Sequence, residues 1–91
     1  MKKNDISWDD ISFFHRSKHR STILKLLDNP KTPTQLKKIT SLHFNIVSRT
    51  IIELEKEGFV NCLTPEQKLA RFYQINLKGK KILERLKMIE Q

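Results

Sequence analysis

The feature that most constrains this fold is the punctuation of residues 32–60, TPTQLKKITSLHFNIVSRTIIELEKEGFV. Thr32 followed three residues later by Gln35 has the form of a capping box, and Pro33 suits the first helical position. A short helix over Pro33–Thr40 is therefore expected, with Leu36 and Ile39 facing inward. A break follows at residues 41–43, where Leu42 plugs the space between two helices. Val47, Ile51 and Leu54 then recur at spacings of four and three, the core stripe of a helix over residues 44–57. Gly58 supplies a left-handed cap at its end. The connection between the two helices is therefore tight.

The flanking sequence extends this pair in both directions. Residues 1–6 are expected to fray. Ser7 can cap a helix over residues 7–15, with Asp9 and Asp10 near its positive end. Trp8, Ile11 and Phe14 share one face of that helix, at a spacing of three. Ser17 opens a second helix to about Leu27, with Ile23, Leu26 and Leu27 as its buried stripe and Asp28-Asn29-Pro30 as its stop. After Gly58, residues 59–63 and 70–75 read as two strands joined by a tip at 64–69. Tyr73 and Ile75 share one face of the return strand, and Phe72 takes the other. Asn76 can cap a last helix over residues 77–90, with Ile82, Leu86 and Ile89 as an apolar stripe and Gly79 near its start. The expected fold is mainly α with a small β-hairpin, a single domain over residues 1–91 whose core spans about 17–76.

Eighteen Lys+Arg against ten Asp+Glu give a formal net charge of +8. Such an excess attracts polyanions without dictating a fold, and an acidic partner or solubility would account for it equally well. The lone Cys62 rules out an internal disulfide framework and a cysteine-rich zinc site. It reads as a small buried apolar group. No apolar run reaches the length that spans a bilayer, and the opening Met1-Lys2-Lys3-Asn4-Asp5 lacks the apolar stretch of a signal peptide. No membrane partner is expected, and the cytoplasm is the expected location.

Catalysis has no constellation to carry it. His15, His19 and His43 are matched by no nucleophile or carboxylate pair, and two glycines cannot build a phosphate loop. His15 and His19 stand four apart, but the break at Ser17 falls between them, so neither metal nor cofactor is expected. The second of the paired helices is more informative. With Val47, Ile51 and Leu54 inward, Asn45, Ser48, Arg49 and Ile52 lie wholly or partly outward. A groove-inserted helix would present His43, Phe44, Asn45, Ser48 and Arg49 to base edges. Arg49 suits guanine, Asn45 suits adenine, and Phe44 could cover a thymine methyl or staple its own core. Lys68 and Arg71 at the hairpin could reach phosphates or the minor groove. Thr32, Thr34, Gln35 and Lys38 could hold the backbone. Trp8, Ile11 and Phe14 could pack on their own domain or form a subunit interface, and the interface is the reading preferred here.

Two segments resemble winged helix-turn-helix transcription regulators of the ArsR/MarR-like kind, most of all small archaeal members. Residues 46–60, IVSRTIIELEKEGFV, are similar to the family's xVSRxLxxLExxGLV recognition helix and exit. Residues 71–79, RFYQINLKG, are similar to its RxYxLTxKG return from the wing. The resemblance covers about residues 17–86. It implies sequence-specific binding of double-stranded DNA, with Ser48 and Arg49 on the groove-facing helix and Arg71 at the wing. It further implies a homodimer built through the terminal helices, for which Trp8, Ile11, Phe14, Ile82, Leu86 and Ile89 are the candidates. Metal-sensing members carry paired cysteines before the recognition helix, where this chain has Thr40-Ser41-Leu42, so metal sensing is not expected. No ligand domain is evident, which would leave the dimer interface for any effector. Two alternatives stay open: a winged-helix interaction module of transcription or replication machinery, and non-specific DNA binding.

Overall fold

The computed structural model describes residues 6–90. The expected fraying of residues 1–6 lies outside that range but for Ile6, which packs partly buried against the core. Five helices and one two-stranded antiparallel hairpin follow in the order α1 (Trp8–His15), α2 (Lys18–Leu26), α3 (Pro33–Thr40), α4 (Phe44–Lys56), β1 (Val60–Cys62), β2 (Tyr73–Ile75) and α5 (Leu77–Glu90). The chain is thus mainly helical with a small hairpin.

Local chemistry sets most of the boundaries. Ser7 Oγ accepts the Asp10 N–H while Asp10 Oδ2 accepts the Ser7 N–H, a complete capping box on α1. Thr32 and Gln35 make the same reciprocal pair on α3. That helix ends at Ser41 in the left-handed region, φ 62°, an unusual conformation for a residue other than glycine. Gly58 takes φ 84° after α4, as its role at a helix end requires. Asn76 Oδ1 accepts the Gly79 N–H at 2.9 Å, and its Nδ2 donates to the Gly58 carbonyl, so one side chain caps α5 and closes the exit of α4.

The strands are shorter than expected, three residues each, paired Val60↔Ile75, Asn61↔Gln74 and Cys62↔Tyr73. Lys31 adds an unforeseen rung. Its backbone exchanges two hydrogen bonds with Tyr73, at 3.1 and 2.9 Å, so the segment between α2 and α3 lies along the hairpin. Phe59 precedes β1 and is wholly buried, and Cys62 is only partly buried against the core.

The core corrects several expected faces. In α2 the buried stripe is Ile23, Leu24 and Leu27, with Leu26 only partly covered. In α3 Leu36 is buried but Ile39 is 53% exposed, because α4 covers one side of so short a helix. In α1 Phe13 joins Ile11 and Phe14 inside, while Trp8 is 79% exposed. Phe13, Phe14 and Phe59 form an aromatic cluster with ring centroids 4.9–5.9 Å apart. α1 packs against both α2 and α5, and α2 against α5. Ile11, Phe14, Ile82 and Leu86 are therefore buried within this chain's own core and have almost no surface left for a second copy. The interface expectation is corrected at those four positions. Only Trp8 and Ile89 of the six stand exposed.

Gly79 has a role beyond tolerable placement near a helix start. A Cβ there would lie 2.4 Å from the Phe59 carbonyl oxygen and 2.5 Å from Ile75 Cγ1. The first turn of α5 rests directly on the base of the hairpin, and only glycine permits that approach.

Candidate nucleic-acid interface

α4 buries Val47, Thr50, Ile51 and Leu54. The Thr50 hydroxyl donates to the Ile46 carbonyl at 2.7 Å, so this buried polar group is satisfied within its own helix. With about 100° of rotation per residue, Asn45, Arg49, Ile52 and Lys56 fall on the opposite side. All four are exposed, Ile52 by 58%. At the N-terminal end His43 is the cap residue, its side chain makes no capping bond, and Phe44 is 46% exposed. Phe44 is therefore not a fully covered core staple. Ser48 is half-buried at the edge of this face. The first turn of α4 has no acidic side chain; Glu53 and Glu55 lie in its second half, and Glu57 is its C-terminal cap.

Glu53 stands one turn beyond Arg49 on the same helix, a spacing at which the two could pair. Arg20 of α2 holds it instead. The Arg20 guanidinium donates from Nε to Glu53 Oε1 at 3.3 Å and from Nη2 to Oε2 at 3.1 Å. Its Nη1 donates to the Phe13 carbonyl at 2.6 Å, and the group lies 3.9 Å above the Phe13 ring. No ion pair to Arg49 is formed among the described residues. Arg49 lines a groove with Ser17, His19 and Ile46, next to the uncapped start of α2, and the Arg20–Glu53 pair lines the same groove. Sequence reasoning missed Arg20 because its partner is 33 residues away and no local pattern marks the pair.

A second cation anchors the far end of α4. Lys78 Nζ donates to the Glu57 carbonyl at 3.0 Å, lies 4.7 Å from the Phe59 ring centroid and stands 3.9 Å from Asp10 Oδ1. A positive charge there complements the negative end of the helix dipole and joins α1 and α5 to it.

The hairpin tip, residues 63–72, is compact. Leu63 N–H donates to the Phe72 carbonyl, Phe72 N–H to Thr64 Oγ1, and Gln67 N–H to the Thr64 carbonyl. Lys68 is exposed, and Arg71 is half-buried with its Nε donating to the Gln67 carbonyl. Arg71 thus braces the loop with one edge of its guanidinium. Burial raises the pKa of the Tyr73 phenol, a shift that Arg71 opposes through a hydrogen bond. Leu69 projects from the tip, 84% exposed, beside Ala70 in the left-handed region at φ 54°.

Among the backbone-holding candidates, Thr34 and Lys38 are exposed. Thr32 is buried and its hydroxyl accepts the Gln35 N–H, so its side chain serves the cap and is corrected as a phosphate ligand. Gln35 is exposed, but its Oε1 is taken by the Thr32 N–H. Of the five recognition candidates, Phe44, Asn45, Ser48 and Arg49 lie in the N-terminal half of α4 and His43 is its N-terminal cap, while Lys68 and Arg71 lie on a separate loop. No helix among the described residues is long and apolar enough to cross a membrane. Compared with protein-family models, curated proteins and solved structures, the chain matches none.

Proposed function

We propose that this protein is a winged helix-turn-helix regulator of transcription that binds double-stranded DNA. On this reading α3 and α4 form the helix-turn-helix, α4 enters the major groove, and loop 63–72 is the wing on the flanking backbone or minor groove. The observation that carries it is the outward face of α4. Asn45 and Arg49 are exposed at the end of the helix that lacks acidic side chains, while the nearest acid, Glu53, is held by Arg20. Arg49 has the bidentate geometry for guanine, and Asn45 has it for adenine. On the same reading exposed Lys38 and Lys68, together with Arg71, contact the backbone and position the duplex without reading it.

Selection of bound sequences from a random duplex pool tests this directly. A reader of sequence yields a preferred site whose affinity falls with salt at a log–log slope of about −0.9 per phosphate contacted. Arg49→Ala should then weaken the preferred site by about 1–3 kcal/mol more than random duplex. Equal loss on both would refute sequence-specific reading and leave non-specific binding. Absence of any duplex binding would leave the interaction-module reading.

One observation favours a second protein surface. Trp8, Met88 and Ile89 are exposed, and Trp8 and Ile89 line a groove with Ile11, Ser12 and His15. A second copy docked there would make a dimer with two recognition helices. Light scattering should give twice the 10.8 kDa chain mass, and Trp8→Ser should return it to the monomer value. A wild-type monomer at tens of micromolar refutes the dimer.

A further inference from the structure

Four exposed side chains follow one line along α4, and the third is apolar. Asn45, Arg49, Ile52 and Lys56 fall within about 60° of each other around the helix. Single exposed isoleucines are common on protein surfaces and by themselves mean nothing. Ile52 differs in its neighbours. It lies three residues beyond Arg49 and four before Lys56, with exposed Glu55 also adjacent, so its neighbours one turn away along α4 are polar or charged. A protein-docking stripe on this helix would carry apolar groups at those neighbouring positions. A single apolar group between hydrogen-bonding and phosphate-binding side chains suits another surface, the major-groove edge of a duplex. There the C5-methyl of thymine is the apolar feature among donors and acceptors.

We infer that Ile52 reads a thymine methyl group beside the base addressed by Arg49. This rests on the DNA-binding reading above and adds a specificity-determining residue to it. Helical rise sets the spacing. Arg49 and Ile52 are about 4.5 Å apart along the axis, and Asn45 and Arg49 about 6 Å. Successive base pairs are about 3.4 Å apart. The thymine therefore lies one or two base pairs from the guanine of Arg49, on the side away from the base of Asn45. Phe44 is about 12 Å from Ile52 along the axis, so any thymine it covers is a different one. A branched Cβ gives Ile52 few rotamers, so little freedom is lost on contact.

The test replaces each thymine of the selected site, one at a time, by deoxyuridine, which removes the methyl group alone. At one thymine, one or two base pairs from the guanine identified by Arg49→Ala, deoxyuridine should weaken wild-type binding about fourfold. Ile52→Ala should bind thymine and deoxyuridine alike there, and Ile52→Val should keep part of the preference. Because Ile52 is exposed, a thermal melt of both variants should match wild type. The inference is overturned if no thymine near that guanine responds, or if the methyl effect persists in Ile52→Ala. Failure of DNA reading itself shows earlier and separately, as a pool that yields no preferred site.

Discussion

Replacing Gly79 by alanine sets two calculable effects against each other. Alanine is the better helix former by about 1 kcal/mol, and it also reduces the freedom of the unfolded chain. Propensity alone would therefore make Gly79→Ala stabilising. The new Cβ, however, would lie 2.4 Å from the Phe59 carbonyl oxygen, 2.5 Å from Ile75 Cγ1 and 3.2 Å from Ile75 Cδ1. Neither neighbour can yield easily. The Phe59 carbonyl accepts the Asn76 N–H at 3.1 Å, and its ring sits in the buried aromatic cluster. Ile75 is held by β1 and by its N–H donating to the Leu27 carbonyl at 2.9 Å. Forcing a methyl group into such a contact costs about 1–3 kcal/mol, and a clash with backbone belongs at the upper end. The net is a loss of about 1–2 kcal/mol, or a melting temperature lower by about 5–15 °C for a domain of this size. Thermal melts followed by circular dichroism decide it, with exposed Lys80→Ala as a control expected within about 0.5 kcal/mol of wild type. A melting temperature equal to or above wild type would refute the close contact between α5 and the hairpin.

Arg20→Met should destabilise the fold by about 1–3 kcal/mol, since it removes two bonds to a partly exposed carboxylate and one to a backbone carbonyl. In denaturant titrations the losses from Arg20→Met and Glu53→Gln should not add; simple additivity would show that the two groups are not coupled. Thr32→Ala breaks the capping box of α3 and should cost about 1 kcal/mol in the same titration, and an unchanged midpoint would deny the cap. Because burial raises the folded-state pKa of Tyr73, its neutral form favours folding. That stability is present below the unfolded value near 10 and is lost as pH rises through the folded value. Tyr73 is the only tyrosine, so its phenolate absorbance reports the titration alone, and Tyr73→Phe should flatten the alkaline decline. Titration at or below the ordinary tyrosine value would contradict the burial.

What could be read from the sequence was local. The caps at Ser7, Thr32 with Gln35, Gly58 and Asn76 depend on residues within one turn of each other, and all four are formed. The alternation at Tyr73 and Ile75 gave their shared buried face in the same way. Periodicity could not choose between Leu24 and Leu26, because each shares a stripe with Ile23 and Leu27. The choice is made by α4 and α5, which pack on α2 from other parts of the chain. The apolar stripe of α1 had the same ambiguity. Such a stripe looks alike whether its own core or a second copy covers it, and here the chain's own core covers Ile11 and Phe14. The exposure of Asn45 and Arg49 followed from the spacing of Val47, Ile51 and Leu54, but the Arg20–Glu53 pair and the Lys31 rung are long-range contacts without a local signature.

Those long-range contacts divide α4 into two unequal halves. Its C-terminal half is fixed from three directions, by Arg20 on Glu53, by Lys78 on the Glu57 carbonyl, and by Leu54 in the core. Its N-terminal half is packed at Val47 and Thr50 but keeps Asn45 and Arg49 in solvent. On the DNA-binding reading this division has a consequence for the kind of error each substitution makes. Loosening the clamp at Arg20 changes how firmly the whole helix is aimed, and frees Glu53 to compete for Arg49 with every duplex alike. Affinity should fall while the order of preferred sequences stays the same. Changing Asn45, Arg49 or Ile52 leaves the helix in place and alters what its surface complements, so the order itself should change. Selections repeated with Arg20→Met and with Arg49→Ala separate the two. The same consensus from Arg20→Met at weaker affinity, and an altered one from Arg49→Ala, is the pattern expected of a helix whose clamp and reading face are separate sets of side chains.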